Sequence, residues 1–305
     1  RLSSVLPGPI LITGASGFVG RHAVPGLLDR GLQVHALVRS AEKGRPLERL
    51  GARVFVGDLL APDSLRSALD GCTAALHLAG LGYSSDSEAN HRVNVIGSRH
   101  LAEAAQDQGV SRIINVSSTC AGRELRDSYG ISKARAEQEF QLAGLQVTHL
   151  RPTMIYGKGS EEFLKFSETI RRSPLVPIPG DGHFQLQPVN IEDTVELFFR
   201  IFESEQPPSG TYDVAGPAPI SINQLIKEVA QAQGTRARPL HVPASLALLG
   251  ARLLGRLMEH PPANIDQVMA FLQHTRVNIE PTMRDFAWQP RALPDGLRET
   301  FGAGP

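Results

Sequence analysis

Tyr129 and Lys133 stand four residues apart in the segment Tyr129-Gly130-Ile131-Ser132-Lys133, ten residues after the hydroxyl run Ser117-Ser118-Thr119. On a helix, an i, i+4 spacing puts two side chains on one face. A phenol titrating near pH 10 is a poor proton-transfer group at neutral pH. An ammonium beside it stabilises the phenolate and lowers that pKa. Tyr129 paired with Lys133 can then exchange a proton with a hydroxyl or carbonyl oxygen, and Thr119, or Ser118, can hydrogen-bond the same oxygen.

A second cluster supplies what such a site lacks. Ile10-Leu11-Ile12-Thr13 leads into Gly14-Ala15-Ser16-Gly17-Phe18-Val19-Gly20, a glycine triplet between an apolar strand and a helix-compatible stretch. Gly14 permits a sharp turn out of the strand, Gly17 a close backbone approach to a pyrophosphate, and Gly20 tight packing of helix on strand. The helix N-terminus offers free N–H groups and a positive dipole end to the anion. A dinucleotide held there would place a nicotinamide for hydride transfer beside the Tyr/Lys pair.

The elements that must carry these residues alternate through the first half of the chain. Strands are expected at Ile10–Thr13, Gln33–Val38, Arg53–Val56, Thr73–Leu78, Arg112–Val116 and Val147–Leu150. Helices are expected at Phe18–Arg30 (interrupted by Pro25), Glu88–Gln108 and Tyr129–Leu142. Short apolar strands alternating with helices predict an α/β fold with a doubly wound parallel Rossmann sheet. The ligand crevice of such a sheet lies beyond the carboxyl ends of its strands, where Gly14, Arg39, Asp58, His77 and Thr119 fall. After Arg151-Pro152 the rhythm breaks. Residues 1–155 are expected to form the dinucleotide-binding domain, and 156–305 a smaller, mostly helical C-terminal substrate lobe partly interleaved with the sheet. There, Asn190–Glu203 and Ser221–Gln233 (N-capped by Ser221) read as helices and Thr211–Val214 as a strand.

The 305 residues suffice for one large domain or two. Lys plus Arg (31) equals Asp plus Glu (31), which gives no electrostatic case for nucleic acid or an acidic membrane. Cys72 and Cys120 form no disulfide framework, and His183, His241 and His260 have no metal-ligand spacing, so no metal is expected. The start Arg1-Leu2-Ser3-Ser4 does not read as a signal peptide, and no apolar run reaches spanning length, so a cytoplasmic protein is expected.

Taken in order, the motifs resemble those of the extended short-chain dehydrogenase/reductases, the NAD-dependent epimerase/dehydratase superfamily. They are the glycine triplet, Asp58, His77-Leu78-Ala79-Gly80, Asn94 with Gly97, Ser117-Ser118-Thr119, Tyr129-x-x-x-Lys133, Leu150–Gly157, Gln187–Asp193 and Trp288-Gln289-Pro290 through Leu297. The resemblance spans nearly the whole chain and is specific to the superfamily, not to one reaction. It implies that Tyr129 is the acid/base, that Lys133 tunes it and holds the nicotinamide ribose, and that Thr119, with Ser118 as runner-up, aligns the substrate oxygen. It also places Ser16, Phe18, Val19, Leu59, Leu78, Ala79, Gly80, Pro152 and Thr153 at the cofactor, together with Gly14, Gly17, Gly20, Tyr129 and Lys133. Asp58 is expected at the adenine amino group and His77 as packing beside the cofactor. A homodimer bundled through Glu88–Gln108 and Tyr129–Leu142 is a candidate assembly.

Three departures narrow the function. The loop from Thr119 to Tyr129 is shorter than in sugar-nucleotide epimerases. Met154 stands where those enzymes commonly carry Asn, and Phe184, Gln185, Leu186 and Gln187 stand near their usual Arg. A buried diphosphate needs such partners; Arg171, Arg172 or Arg252 are the replacements at hand. The second strand ends Leu37-Val38-Arg39-Ser40 without the acid that bonds an NAD ribose, and Arg39 suits a 2′-phosphate. Arg39 otherwise reads as an ordinary surface arginine. NADP is thus favoured over NAD. The expected activity is an NAD(P)-dependent oxidoreductase acting on a small-molecule secondary alcohol or ketone. The alternatives are a nucleotide-sugar epimerase/dehydratase with a tightly held cofactor, or a non-catalytic NADP(H)-binding scaffold or sensor.

Overall fold

The computed structural model describes residues 6–82, 86–110, 112–124, 126–257 and 274–302, with side chains described only to Gly250 in the stretch ending at 257. By its internal contacts the chain divides into two units. The first holds residues 1–152, 191–214 and 279–289; the second holds 153–190, 215–278 and 290–305.

The first unit is built on seven parallel strands: β1 (Ile10–Thr13), β2 (Val34–Val38), β3 (Arg53–Val56), β4 (Ala74–His77), β5 (Arg112–Val116), β6 (Val147–Pro152) and a late strand, Gly210–Val214. Their spatial order is β3-β2-β1-β4-β5-β6 followed by the late strand, so the direction of winding reverses between β1 and β4. All four residues of β1 and of β4 are buried, as expected of strands covered on both faces. Helices α1 (Phe18–Leu28), α2 (Ala41–Arg49), α3 (Pro62–Leu69), α4 (Ser87–Asn90), α5 (Gly97–Asp107) and α6 (Ser128–Leu142) cover the sheet. Leu65 and Leu69 of α3, Leu101 and Ala105 of α5 and Phe140 of α6 join Leu11, Ile113 and Val147 of the strands in one core. A further helix, Ile191–Glu203, packs beside α1. Its Glu196 pairs with Arg30 at 2.5 Å, and the Arg30 guanidinium lies 3.8 Å over the Phe199 ring.

Several expectations are refined. Pro25 does not break α1, which runs through it. The expected helix Glu88–Gln108 is divided: α4 passes into a π-helical segment, His91–Ile96, before α5. That wide turn places Asn94 inside, where its Oδ1 accepts from the Leu81 N–H (2.7 Å) and its Nδ2 donates to Ser132 Oγ (2.9 Å). The strand-like stretch at 211–214 is the seventh strand of the main sheet, paired in register with β6 from Gly210↔Thr148 to Val214↔Pro152. Of the hydroxyl-rich stretch Tyr83–Ser87, the residues Tyr83, Ser84 and Ser85 lie outside the described residues.

The second unit has its own core, in which Phe163 and Ile170 of helix Glu161–Arg172 meet Val176, Ile178 and Phe184, and Leu225 and Val229 of helix Ile222–Ala232. Ser221 caps the latter helix, its side chain accepting from Gln224 N, as its sequence position predicts.

Candidate functional site

The chain leaves β1 through Gly14, whose φ of 68° is left-handed. A Cβ there would stand 2.7 Å from Ala79 N, so the first and fourth strand ends meet only because residue 14 is glycine. Gly20 is closed in the same way, since a Cβ would lie 2.4 Å from the Gly14 carbonyl oxygen. Beyond these strand ends lies a cleft of about 470 Å³. Its walls include Gly14, Ser16 and Gly17 from the first turn, Arg39 from the end of β2, Asp58 and Leu59 from the end of β3, and Leu78, Ala79 and Gly80 from the end of β4. Nine of the expected cofactor residues therefore converge. Phe18 instead packs edge-on to His22, with ring centroids 5.6 Å apart, and Thr153, in the second unit, turns its hydroxyl to the Gln187 carbonyl at 2.5 Å.

Lys43, one turn into α2, also lines the cleft. Sequence reasoning missed it; its signal is a second cation four residues after Arg39, just past the Ser40 N-cap. Arg39 and Lys43 are both exposed. Asp58 Oδ1 accepts from Leu60 N at 2.8 Å, which fixes the carboxylate at the wall.

His77 is buried and bridges the layers. Its Nδ1 lies 2.7 Å from Thr13 Oγ1, and its Nε2 lies 3.1 Å from Ser98 Oγ. Ser98 spends its proton on the Asn94 carbonyl (2.6 Å), so it accepts from Nε2–H, and Nδ1 accepts from Thr13. Both ring positions are thereby used by the neutral form. Burial, helped by Lys133, pulls the pKa down to about 3. His77 is a structural link.

The second half of the site is carried by α6 and by a 3₁₀ turn, Thr119–Gly122, at the end of β5. Ser118 caps that turn, its oxygen accepting from Cys120 N at 3.2 Å, whereas Thr119 is buried with its hydroxyl 3.4 Å from the Pro152 carbonyl. Asp127 caps α6 through Gly130 N (2.7 Å), and Tyr129 is half-buried in the first turn. Helix and turn abut where a Cβ on Gly130 would lie 2.6 Å from the Cys120 carbonyl oxygen. Lys133 reaches inward, and its Nζ donates to the Val116 carbonyl at 2.9 Å. A Cβ on Gly80 would lie 3.7 Å from that same Nζ, so the ammonium sits at the cleft wall. Burial pulls its pKa down to about 8, while Glu137 pulls the other way.

In the second unit, two of the three arginines expected as diphosphate partners lie in exposed ion pairs. Glu168 pairs with Arg171 at 2.6 Å and also with Arg172. The Arg252 side chain lies outside the described residues. Gln187, near the place of the usual Arg, is buried and bonds Gly216 O (2.8 Å) and Val277 N (3.1 Å). Among the described residues, no helix is long and apolar enough to cross a membrane.

Residues 14–170 match the NAD(P)H-binding family. A 4-hydroxy-2-methyl-3-oxo-4-farnesyl-3,4-dihydroquinoline-1-oxide ketoreductase of Stigmatella aurantiaca is 28% identical, over 96% of this chain and 96% of that protein. A 2-alkyl-3-oxoalkanoate reductase of Stenotrophomonas maltophilia is 26% identical, over 95% and 97%. A UDP-glucose 4-epimerase of Vibrio cholerae is 26% identical, over 98% and 96%. Among solved structures, MoeE5 in complex with UDP-glucuronic acid and NAD superposes with a TM-score of 0.76 at 24% identity, covering 96% of this chain and 98% of the other, which shows a common fold.

Proposed function

The chain belongs to the NAD(P)H-binding family, within the extended short-chain dehydrogenase/reductase and NAD-dependent epimerase/dehydratase superfamily, and from that premise we propose that it is an NADP(H)-dependent ketoreductase. The observation that carries this reading is the pair of exposed cations, Arg39 and Lys43, on the cleft wall where β2 ends without an acid. A guanidinium and an ammonium there favour a 2′-phosphate over a ribose diol. A cofactor chosen by its phosphate suits a reductase that exchanges it at each turnover.

The cleft fits a dinucleotide: its floor is the glycine turn that a Cβ would block, and α1 opens directly behind it. When bound, NADPH supplies the hydride. Tyr129 donates its phenolic proton to the substrate carbonyl oxygen as that oxygen gains negative charge. Lys133, fixed through Val116, keeps two N–H donors for the ribose and stabilises the phenolate left behind. A hydroxyl of the turn hydrogen-bonds the same oxygen: Thr119 by exchanging its long 3.4 Å contact with the Pro152 carbonyl, or Ser118, whose oxygen accepts from Cys120 N and keeps its own proton to donate.

The substrate we assign is a 3-oxo compound bearing an apolar chain. Two relatives are named for such compounds, and Met154 and Gln187 stand at or near the places where sugar-nucleotide enzymes commonly carry Asn and Arg. The test combines cofactor and turnover. NADPH and NADH are titrated by fluorescence, and a 2-alkyl-3-oxoalkanoate is then assayed with wild type and Tyr129→Phe. The reading expects tighter NADPH binding, NADPH oxidation by wild type, and loss of turnover with retained binding in the variant. Stoichiometric NAD carried through purification would instead point to an epimerase or dehydratase. Tyr129→Phe with undiminished turnover would remove the tyrosine from the mechanism.

A further inference from the structure

One helical turn beyond Lys133 lies the most enclosed of the described ion pairs. Arg151, on β6, donates from Nε to Glu137 Oε1 (2.9 Å) and from Nη2 to Glu137 Oε2 (2.6 Å), and the two side chains are 23% and 7% exposed. The third nitrogen of the guanidinium, Nη1, packs against the 3₁₀ turn. A Cβ on Gly122 would stand 2.9 Å from Arg151 Nη1, so the guanidinium lies against the last residue of the 3₁₀ turn that begins at Thr119. On the other side, Asp213 of the seventh strand is the register partner of Arg151. One planar group thus touches the helix that carries Tyr129 and Lys133 and the turn that carries Thr119.

Buried ion pairs are an inefficient way to gain stability, because desolvating both charges offsets most of their attraction. A bidentate Arg–carboxylate fork is, however, an exacting way to fix distance and orientation. Here it spans the two elements whose separation sets how Thr119 and Tyr129 meet one oxygen.

We propose that Glu137 and Arg151 are positioning residues of the reductase: their fork holds α6 against the Thr119 turn, and the Glu137 carboxylate supplies the countercharge one turn from the Lys133 ammonium. The proposal rests on the roles assigned above to Thr119, Tyr129 and Lys133. The charged group acting on this ammonium is Glu137 on its own helix, and His77 from β4 faces it; His149 and Arg151 from β6 and Asp213 from the seventh strand act on the Glu137 carboxylate. Burial lowers the pKa of His77 and of His149, favouring their neutral forms, and raises that of Asp213. Glu137, by contrast, is held by the fork and pulls Lys133 toward its charged form, against the burial that lowers it.

Three variants separate the parts of the device. Glu137→Gln keeps the shape and removes the charge. Arg151→Lys keeps the charge and removes the fork. The double variant Glu137→Gln/Arg151→Met removes both charges of the fork together, so neither of the two faces a lost partner, and it reports even if a single variant fails to fold. Each is measured for NADPH affinity, for kcat and KM on a 2-alkyl-3-oxoalkanoate, and for the pH profile of kcat. Arg151→Lys is expected to lose kcat roughly 10- to 100-fold with KM and NADPH affinity within about twofold, because misplacement acts on the reacting geometry and not on uniform binding. Glu137→Gln is expected to move the alkaline limb of kcat toward neutral pH by roughly one unit. The double variant is expected to bind NADPH and to show both the kcat loss and the shift.

Wild-type kcat and pH profile in the folded variants would overturn the proposal. So would a loss shared equally by NADPH affinity and kcat, which is the mark of a merely structural pair. Tyr129→Phe, run in parallel, tells which reading has failed. Undiminished turnover there sinks the tyrosine mechanism itself; lost turnover beside normal clamp variants sinks the positioning role alone.

Discussion

Lys133 Nζ donates to the Val116 carbonyl oxygen at 2.9 Å, which ties the helix of the proposed acid to the strand that ends in the hydroxyl run. The bond holds a charge in a buried place, and burial brings the lysine pKa from 10.5 down to about 8. Because the folded pKa is the lower one, the unfolded chain binds more protons between pH 8 and 10.5, and this group opposes folding below pH 8. Lys133→Met removes that cost at the loss of one hydrogen bond. We expect it to raise stability at neutral pH by about 2 kcal/mol while lowering kcat by roughly 100-fold or more. Denaturant titration at pH 7 and at pH 10, beside steady-state kinetics, checks both: the stability gain should shrink at the higher pH.

Arg39 and Lys43 set the cofactor preference in this reading. Replacing either with Ala should weaken NADPH binding by roughly 10- to 100-fold, the worth of a charge-assisted contact, and leave NADH binding within about threefold. Fluorescence titration of both cofactors gives the ratio. Equal losses for NADPH and NADH would place these cations at the shared pyrophosphate and not at a 2′-phosphate.

Gly130 stands between Tyr129 and Lys133, and a Cβ there would meet the Cys120 carbonyl at 2.6 Å. Alanine normally favours a helix over glycine by about 1 kcal/mol. Here the helix must instead move off the turn. Gly130→Ala should therefore destabilise by about 1–3 kcal/mol, the range for overpacking, and cut kcat more than NADPH affinity. A melting temperature at or above that of wild type would show that the turn yields without cost.

Acid should loosen the sheet through His77. Its folded pKa, about 3, lies below its ordinary 6.5, so the unfolded chain binds the extra proton between these values and stability falls as pH drops through that window. Between pH 6.5 and about 5 the loss from this group should be on the order of 2 kcal/mol. His77→Gln, which does not titrate, should start less stable near pH 7 and lose less on acidification. A parallel decline in both proteins would assign the acid sensitivity elsewhere.

Much of the cleft beyond the strand ends was legible in the chain because it is local. The turn at Gly14, the helix start behind it and the end of β2 at Arg39 each occupy a few consecutive residues, and strand ends of a parallel sheet share one edge by construction. Asn94 was legible as part of a motif but not in its role, because the π segment that turns it toward Leu81 and Ser132 carries no periodic signal. The stretch 211–214 was legible as a strand but not as the edge of the main sheet, since its partner, β6, is some sixty residues earlier.

The sequence by itself determined the winding of the first six strands, the glycine turn, the i, i+4 pairing of Tyr129 with Lys133 and the absence of an acid after β2. All of these follow from short-range backbone geometry and side-chain type. Tertiary structure alone decided that Lys43 joins Arg39 at the cleft, that the Thr119 hydroxyl faces the Pro152 carbonyl, and that Gly130 rides on Cys120. It alone brought Arg151 between Glu137 and the Thr119 turn. Such contacts join residues that no local spacing relates; they exist because two packed layers must close at one distance, and that distance is set by the whole core.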